Sequence, residues 1–304
     1  MKRSRRIVKR VKNWFIYQIV RYGFRMLNGM QRETAINLLG TLGGFGYHIV
    51  GSERKKTIRN LKRVFGERFD DDKIRRMGKE VFVNLGRNMA DAFRVSGLNP
   101  DNIDSIVTAE GLEKIDELLA RGKGLISLTG HVGNWELLGA YLAMKGYPLS
   151  VVGAPIYDPR LDEMVTRNRV GSGLGYIQRG SATREILRVL RRNEMVGILI
   201  DQDTRHVQGV FVDFLGMEAY TPVGPVILAL KTGSPLLPIG IHMRRDNTHH
   251  IAVGEEITLG KAENKDEELI MNTLKCSKAV EQFIHDHPTQ WVWMHNRWKT
   301  KKKQ

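Results

Sequence analysis

His131 and Glu136 stand with four residues between them, directly after the apolar run Leu125–Thr129 and at the start of the helix-like run Trp135–Met144. An imidazole delivered by a strand end, with a carboxylate near enough to fix its tautomer, has the parts of a general base acting on a hydroxyl or an amine. Residues five apart differ by about 140° around a regular helix, so the two could not face each other on one; the pair needs a turn. Gly130 and Gly133 supply backbone freedom, and Asn134 fits the N-cap of a helix that places Glu136 in its first turn. From there the carboxylate can reach back to one imidazole nitrogen and leave the other for a substrate proton. The same residues also fit a plainer arrangement, in which His131 is a loop histidine and Glu136 complements the helix dipole.

The elements that must position this pair follow from hydrophobic periodicity. Up to residue 98 the texture is helical: 55–65 is basic and amphipathic, and 72–95 carries apolar residues three and four apart. Beyond residue 105 short apolar runs at 106–109, 125–129, 149–152, 196–200, 236–241 and 250–253 read as strands. They alternate with helical patterns at 112–120, 135–144, 161–170, 182–192, 223–232 and 267–285. This predicts an α/β fold with a mixed, largely parallel central sheet flanked by helices, with residues 1–98 a helical extension and 99–304 the core. Ligands of such sheets sit beyond the carboxyl ends of the strands, where His131, Arg169 and Asp201 are expected to cluster.

Composition narrows the partners. The 304 residues are 41% hydrophobic, enough for a substantial core, and 48 Lys and Arg against 33 Asp and Glu leave a net charge of +15. Such an excess suits an anionic membrane surface, an acidic protein or nucleic acid. A single cysteine, Cys276, excludes an internal disulfide and a multi-cysteine zinc site and fits a reducing compartment.

Basic residues Lys2, Arg3, Arg5, Arg6, Lys9, Arg10 and Lys12 precede the apolar run 14–20, which is too short for a secretory signal. Neither that run nor the uncharged stretch 35–50, broken by four glycines, reaches the ~20 apolar residues of a membrane span. Val8, Val11, Phe15, Ile19, Tyr22 and Met26 recur at helical spacing beside the basic residues, as an interfacial helix on an anionic bilayer requires; a stripe packed on the core has the same spacing.

Five blocks carry a resemblance: TGHVGNWE at 129–136, RNRVGSGLGYIQRG at 167–180, DQDTRHVQGVFVDFLG at 201–216, TPVGPVILALKTGSPLLPIG at 221–240 and PTQWVWMHNRWK at 288–299. In type and order they resemble the bacterial lipid A biosynthesis (late) acyltransferases, within the wider lysophospholipid acyltransferase-like group. The resemblance implies transfer of a fatty acyl chain from a thioester on acyl carrier protein to a hydroxyl of a lipid A precursor, at the cytoplasmic face of a bacterial inner membrane. It implies no cofactor beyond the acyl donor. His131 would be the general base, Glu136 its orienting carboxylate, and Arg169 the stabiliser of the oxyanion or of an anionic substrate. Arg169 also fits a surface salt bridge. Asn134 and Arg179 fall in the same blocks and are expected to touch substrate.

Other residues of the blocks are candidates for substrate contact. Asp201 and Asp203 close the strand run 196–200 and fit either substrate binding or loop capping; two carboxylates make a poor cation cage, so no metal is expected. Phe211 and Phe214, with Leu215, suit an acyl pocket or plain core. Trp291, Trp293 and Trp298 interleave with His295, Arg297 and Lys299 as at a lipid or phosphate interface, with Arg297 a substrate contact. No nucleic-acid module accompanies them, so nucleic acid is not expected. His249, His250, His285 and His287 lack metal-site spacing and are expected at the surface. Thr289 stands where the family often has Glu, Asn296 where it often has a second basic residue, and 14–20 is less apolar than the usual N-terminal segment. An acyl-CoA-dependent enzyme for another glycolipid, of the phosphatidylinositol mannoside type, fits the same blocks, and so does a silent membrane scaffold.

Overall fold

The computed structural model describes residues 2–179, 182–204 and 207–302, with side chains from residue 13 onward. Helix α1 (Lys2–Gly29) contains the expected N-terminal stripe. Val8, Val11 and the basic side chains before residue 13 lie outside the described side chains. Helix α2 (Arg32–Ile49) runs through the glycine-broken stretch. Its glycines serve packing: a Cβ on Gly43 would strike the Phe82 carbonyl, and one on Gly86 would strike the Leu39 carbonyl, so α2 and α4 (Asp71–Arg94) meet almost backbone to backbone. In the chain, α3 (Gly51–Phe65) connects them. Asp70 caps α4, its Oδ1 accepting from the Lys73 amide at 2.6 Å. Among the described residues no helix is long and apolar enough to cross a membrane.

The rest of the chain is a mixed α/β layer structure. In order come β1 (Val107–Glu110), α5 (Leu112–Leu119), β2 (Leu125–Thr129), α6 (Trp135–Met144), β3 (Leu149–Gly153), α7 (Pro159–Gly171), β4 (Gly175–Gln178), α8 (Ala182–Arg191) and β5 (Met195–Leu199). Then follow β6 (Gly209–Phe214), β7 (Met217–Pro222), α9 (Gly224–Thr232), β8 (Leu236–Met243), β9 (His249–Val253), α10 (Lys265–Asp286) and a 3-10 turn, Pro288–Gln290. Seven strands form one sheet in the order β1-β9-β8-β2-β5-β3-β4; every pair is parallel except β8 with β9. Apolar layers cover both faces, one around Leu125, Leu137 and Ile239, the other around Ile126, Val196 and Leu236. The alternation of Leu125 and Ile126 between them is the period-2 pattern of a strand buried on both sides.

Two features escape the periodicity. Edge strand β4 is four residues long and begins with glycine, so it carries almost no pattern. The β6–β7 hairpin turns at Leu215 and Gly216, both with positive φ (54° and 78°); leucine in the first of these places hides the usual Asn-Gly signal.

The N-terminal helices are fastened to this core. Asn60 donates to the carbonyls of Trp293 and His295, and Asn84 to Thr289. Asp91, 1% exposed, accepts from Arg32 at 2.9 and 2.7 Å and pairs with His249 Nε2 at 2.8 Å. His249 is therefore a fully buried tie between α4 and β9 rather than a surface residue. His287 likewise stacks on His242, ring centroids 3.6 Å apart, while His285 is exposed.

Candidate active site

Strands β2 and β5 are parallel neighbours in the register Leu125↔Met195 to Thr129↔Leu199. Two residues past each strand end the same register sets His131 beside Asp201. The imidazole Nδ1 lies 2.8 Å from Asp201 Oδ1, and the His131 amide donates to Oδ2 at 2.7 Å. Trp291 Nε1 donates to the same Oδ2 at 2.7 Å. The Asp201 side chain is wholly buried, whereas that of His131 keeps 22% exposure. Burial alone would push the Asp201 carboxyl up, but the His131 charge and the hydrogen bonds from the imidazole, Trp291 and the His131 amide hold it at about 2. Facing an ionised carboxylate, Nδ1 carries a proton, so in the neutral imidazole Nε2 is the nitrogen with the lone pair.

This corrects the assignment that spacing suggests for Glu136. Asn134 does cap α6, its Oδ1 accepting from Leu137 N at 3.1 Å, and Glu136 does sit in the first turn. Its carboxylate, however, takes the Arg169 guanidinium as a fork, from Nε at 2.8 Å and Nη2 at 2.5 Å. The sheet explains the exchange: a parallel neighbour delivers Asp201 to the imidazole more directly than a helix can turn back. Gly133, with φ 58°, packs so tightly on the Ile241 carbonyl that a Cβ there would collide, fixing the path between His131 and the helix.

Arg169 and Glu136 are partly buried, with side-chain exposures of 19% and 25%, and the guanidinium lies over the Tyr176 ring at 5.4 Å. Burial opposes the Arg169 charge, yet the hydrogen bonds and charge of Glu136 outweigh it and raise its pKa above the ordinary value. His131, Glu136, Arg169 and Arg179 all line one cavity of about 690 Å³. Its far wall is apolar, built from Val152, Ile186, Ile198, Ile227 and Leu228 on β3, α8, β5 and α9. A base, a bidentate ion pair and a second arginine thus share an opening onto a space lined by aliphatic side chains.

Several expected substrate contacts lie elsewhere. Asp201 faces His131 and Trp291, not the cavity. Asp203 is buried and receives the Thr300 amide and hydroxyl, each at 2.9 Å, so it is a loop anchor. Phe211 packs on Tyr220, and Phe214 lies between Trp291 and Trp298 in the core; neither lines the cavity. Leu215 is core too, at the hairpin turn. Arg297 is fully buried, donating to the Tyr220 carbonyl and the Thr221 hydroxyl and lying 4.4 Å from the Phe214 ring centroid. Burial pulls its pKa down to about 10. Trp291, Trp293 and Trp298 are 1%, 0% and 5% exposed and form core, not a lipid-facing belt.

Cys276 is buried in α10 with its thiol pushed up to about 12, far from a thiolate nucleophile. Among the described residues no cluster of His, Cys, Asp and Glu is arranged to hold a metal ion. What spacing misses is the contact of Trp291 with Asp201; the residue's sequence signal is its place in a tryptophan-rich block, which suggests an interface instead.

Comparison with known proteins sets this geometry in a family. A phosphatidylinositol mannoside acyltransferase of Mycolicibacterium smegmatis is 25% identical over 224 residues, 71% of each chain. A second, from Mycobacterium tuberculosis, is 29% identical over 163 residues, 51% of each chain. A lipid A biosynthesis acyltransferase of Haemophilus influenzae is 24% identical over 267 residues, 87% of this chain and 81% of its own. The family model for bacterial lipid A biosynthesis acyltransferases matches residues 1–300, and the chain belongs to that family, whose members are enzymes that transfer acyl groups.

Proposed function

We propose that this enzyme moves a fatty acyl chain from an acyl thioester, carried on acyl carrier protein, to a hydroxyl of a lipid A precursor, with His131 as general base. The observation that carries the reading is the His131 imidazole, held by Asp201 through Nδ1, at an opening onto an aliphatic cavity that also holds Arg169 and Arg179. The acyl chain lies along Val152, Ile186, Ile198, Ile227 and Leu228. His131 Nε2 removes the acceptor proton as the oxygen attacks the thioester carbonyl. The tetrahedral intermediate collapses, the C–S bond breaks, and the imidazolium returns the proton to the leaving sulfur. No acyl-enzyme forms, since Cys276 is buried and protonated.

Arg169, kept in place by Glu136, stabilises the oxyanion or an anionic substrate group. Arg179, exposed at the cavity wall, meets an anionic group of donor or acceptor. The enzyme rests on the cytoplasmic face of the inner membrane through α1 and α2: Phe15, Ile19, Tyr22 and Met26 are 55%, 70%, 59% and 49% exposed, and Phe45 and Ile49 are 63% and 64% exposed. So much exposed apolar surface beside a net charge of +15 suits an anionic bilayer. The charge also suits acyl carrier protein, which is acidic.

A second reading keeps the chemistry and changes the acceptor. The 29% identity to a phosphatidylinositol mannoside acyltransferase favours a mannosylated phospholipid as acceptor; in this reading the donor is acyl-CoA. Mass spectrometry of lipids from cells with and without the protein decides: a missing acyl group on lipid A supports the first, an altered glycolipid with intact lipid A the second. Unchanged lipids of both kinds would contradict both.

A further inference from the structure

Trp291 joins the two loops that meet at the active site. Its backbone pairs with Val132, the neighbouring Gln290 carbonyl accepts from Gly133 N at 3.0 Å, and Val292 N donates to the His131 carbonyl at 3.3 Å. Gln290 is itself pinned to the end of β8 by a two-way amide bond with Met243, 2.8 Å in each direction. The indole is 1% exposed and wedged against Trp293, with ring centroids 4.8 Å apart. With its backbone and its ring both fixed, the N–H can point only at Asp201 Oδ2.

We infer that Trp291 is a positioning residue for acyl transfer, its indole N–H locking the Asp201 carboxylate in the rotamer that presents Oδ1 to His131 Nδ1. The carboxylate is wholly buried, and Oδ2 has two donors, the His131 amide and the indole. The amide moves with His131, so among the described residues only the indole ties the Asp201 side chain to an independent part of the fold. Other charged or titratable groups around the dyad are His295, Arg297 and Lys299 on the C-terminal segment and Asp203 and Glu281 nearby. Trp291→Phe changes none of these. The inference rests on His131 being the base.

The test compares Trp291→Phe with His131→Ala, using lauroyl- or palmitoyl-acyl carrier protein and a lipid A precursor or phosphatidylinositol mannoside. Phenylalanine keeps a ring in the wedge and deletes the donor. A hydrogen bond to a charged group is worth roughly one to two powers of ten, so kcat is expected to fall about 10- to 100-fold with KM little changed. Released from the indole, the carboxylate no longer holds Oδ1 on Nδ1 and supports the His131 imidazolium less, so the acid limb of the kcat profile moves to lower pH. A kcat within about twofold of wild type, or a lowered kcat with an unmoved acid limb, overturns the inference. If His131→Ala keeps activity, the base assignment fails instead. Should Trp291→Phe not fold, the Trp291 indole proton in the intact protein decides: it should resonate downfield and move upfield in Asp201→Asn, and an unmoved resonance overturns the inference.

Discussion

The Nδ1 of His131 lies 2.8 Å from Asp201 Oδ1, although 70 positions separate the two residues in the chain. Parallel pairing of β2 with β5 brings them together. The dyad is thus a product of sheet register rather than of a local motif, and the nearer acid, Glu136, is free to hold Arg169.

That division of labour predicts different failures for the two acids. Asp201→Asn should cost at least about 100-fold in kcat, because the imidazolium loses its buried counter-charge. Glu136→Gln should act through Arg169, so Glu136→Gln and Arg169→Gln, measured singly and together, should couple by about 1–3 kcal/mol in kcat/KM. Additive effects in that double-mutant cycle would contradict the pairing.

Cavity shape predicts donor choice. Ile227→Trp on α9 adds bulk to the aliphatic wall. With each buried methylene worth about 0.8 kcal/mol, losing contact for two carbons should cost the longest donor tenfold or more in kcat/KM. Shorter donors should be unaffected. Competition among C10 to C16 acyl thioesters reads this directly, and an unchanged preference would place the chain elsewhere.

Membrane docking by α1 is tested by Phe15→Glu with Ile19→Glu, two exposed positions four apart. Losing two inserted side chains should weaken binding to anionic vesicles by at least about 100-fold, since each contributes roughly 1.5–3 kcal/mol. Cosedimentation reads the binding. A short-chain, water-soluble donor should still be turned over. Retained binding would show that α1 is not the docking element.

Acid should destabilise the fold before it protonates carboxylates. Burial, aided by His287 and His250, holds His242 at about 4, and burial likewise holds His295 at about 4. A histidine neutral in the fold but titrating near 6.5 when unfolded contributes stability above pH 6.5 that is lost as pH falls towards 4. Urea unfolding at pH 7.5 and pH 5 should show the loss, and His242→Gln should reduce it. An equal loss in the variant would place the acid sensitivity elsewhere.

Much of this arrangement is legible in the sequence. Strand β2 and helix α6 lie at their expected bounds, because an unbroken apolar run and an Asn-capped helix are strong local signals. Of the three residues expected at the strand ends, His131 and Arg169 line one cavity, whereas Asp201 lies outside its lining and faces His131. Pairings between distant segments are not legible. The identity of the carboxylate on His131 depends on which strand neighbours β2, and no local period encodes that. Burial of Arg297 and the three C-terminal tryptophans misleads for a related reason: an aromatic and basic mixture looks interfacial until α3, α10 and the β6–β7 hairpin close over it.

The most direct test is acyl transfer by His131→Ala, with folding checked by circular dichroism and vesicle binding measured alongside. The account predicts loss of transfer by at least about 1,000-fold with fold and membrane binding retained. Transfer at a wild-type rate by a folded His131→Ala enzyme would contradict it.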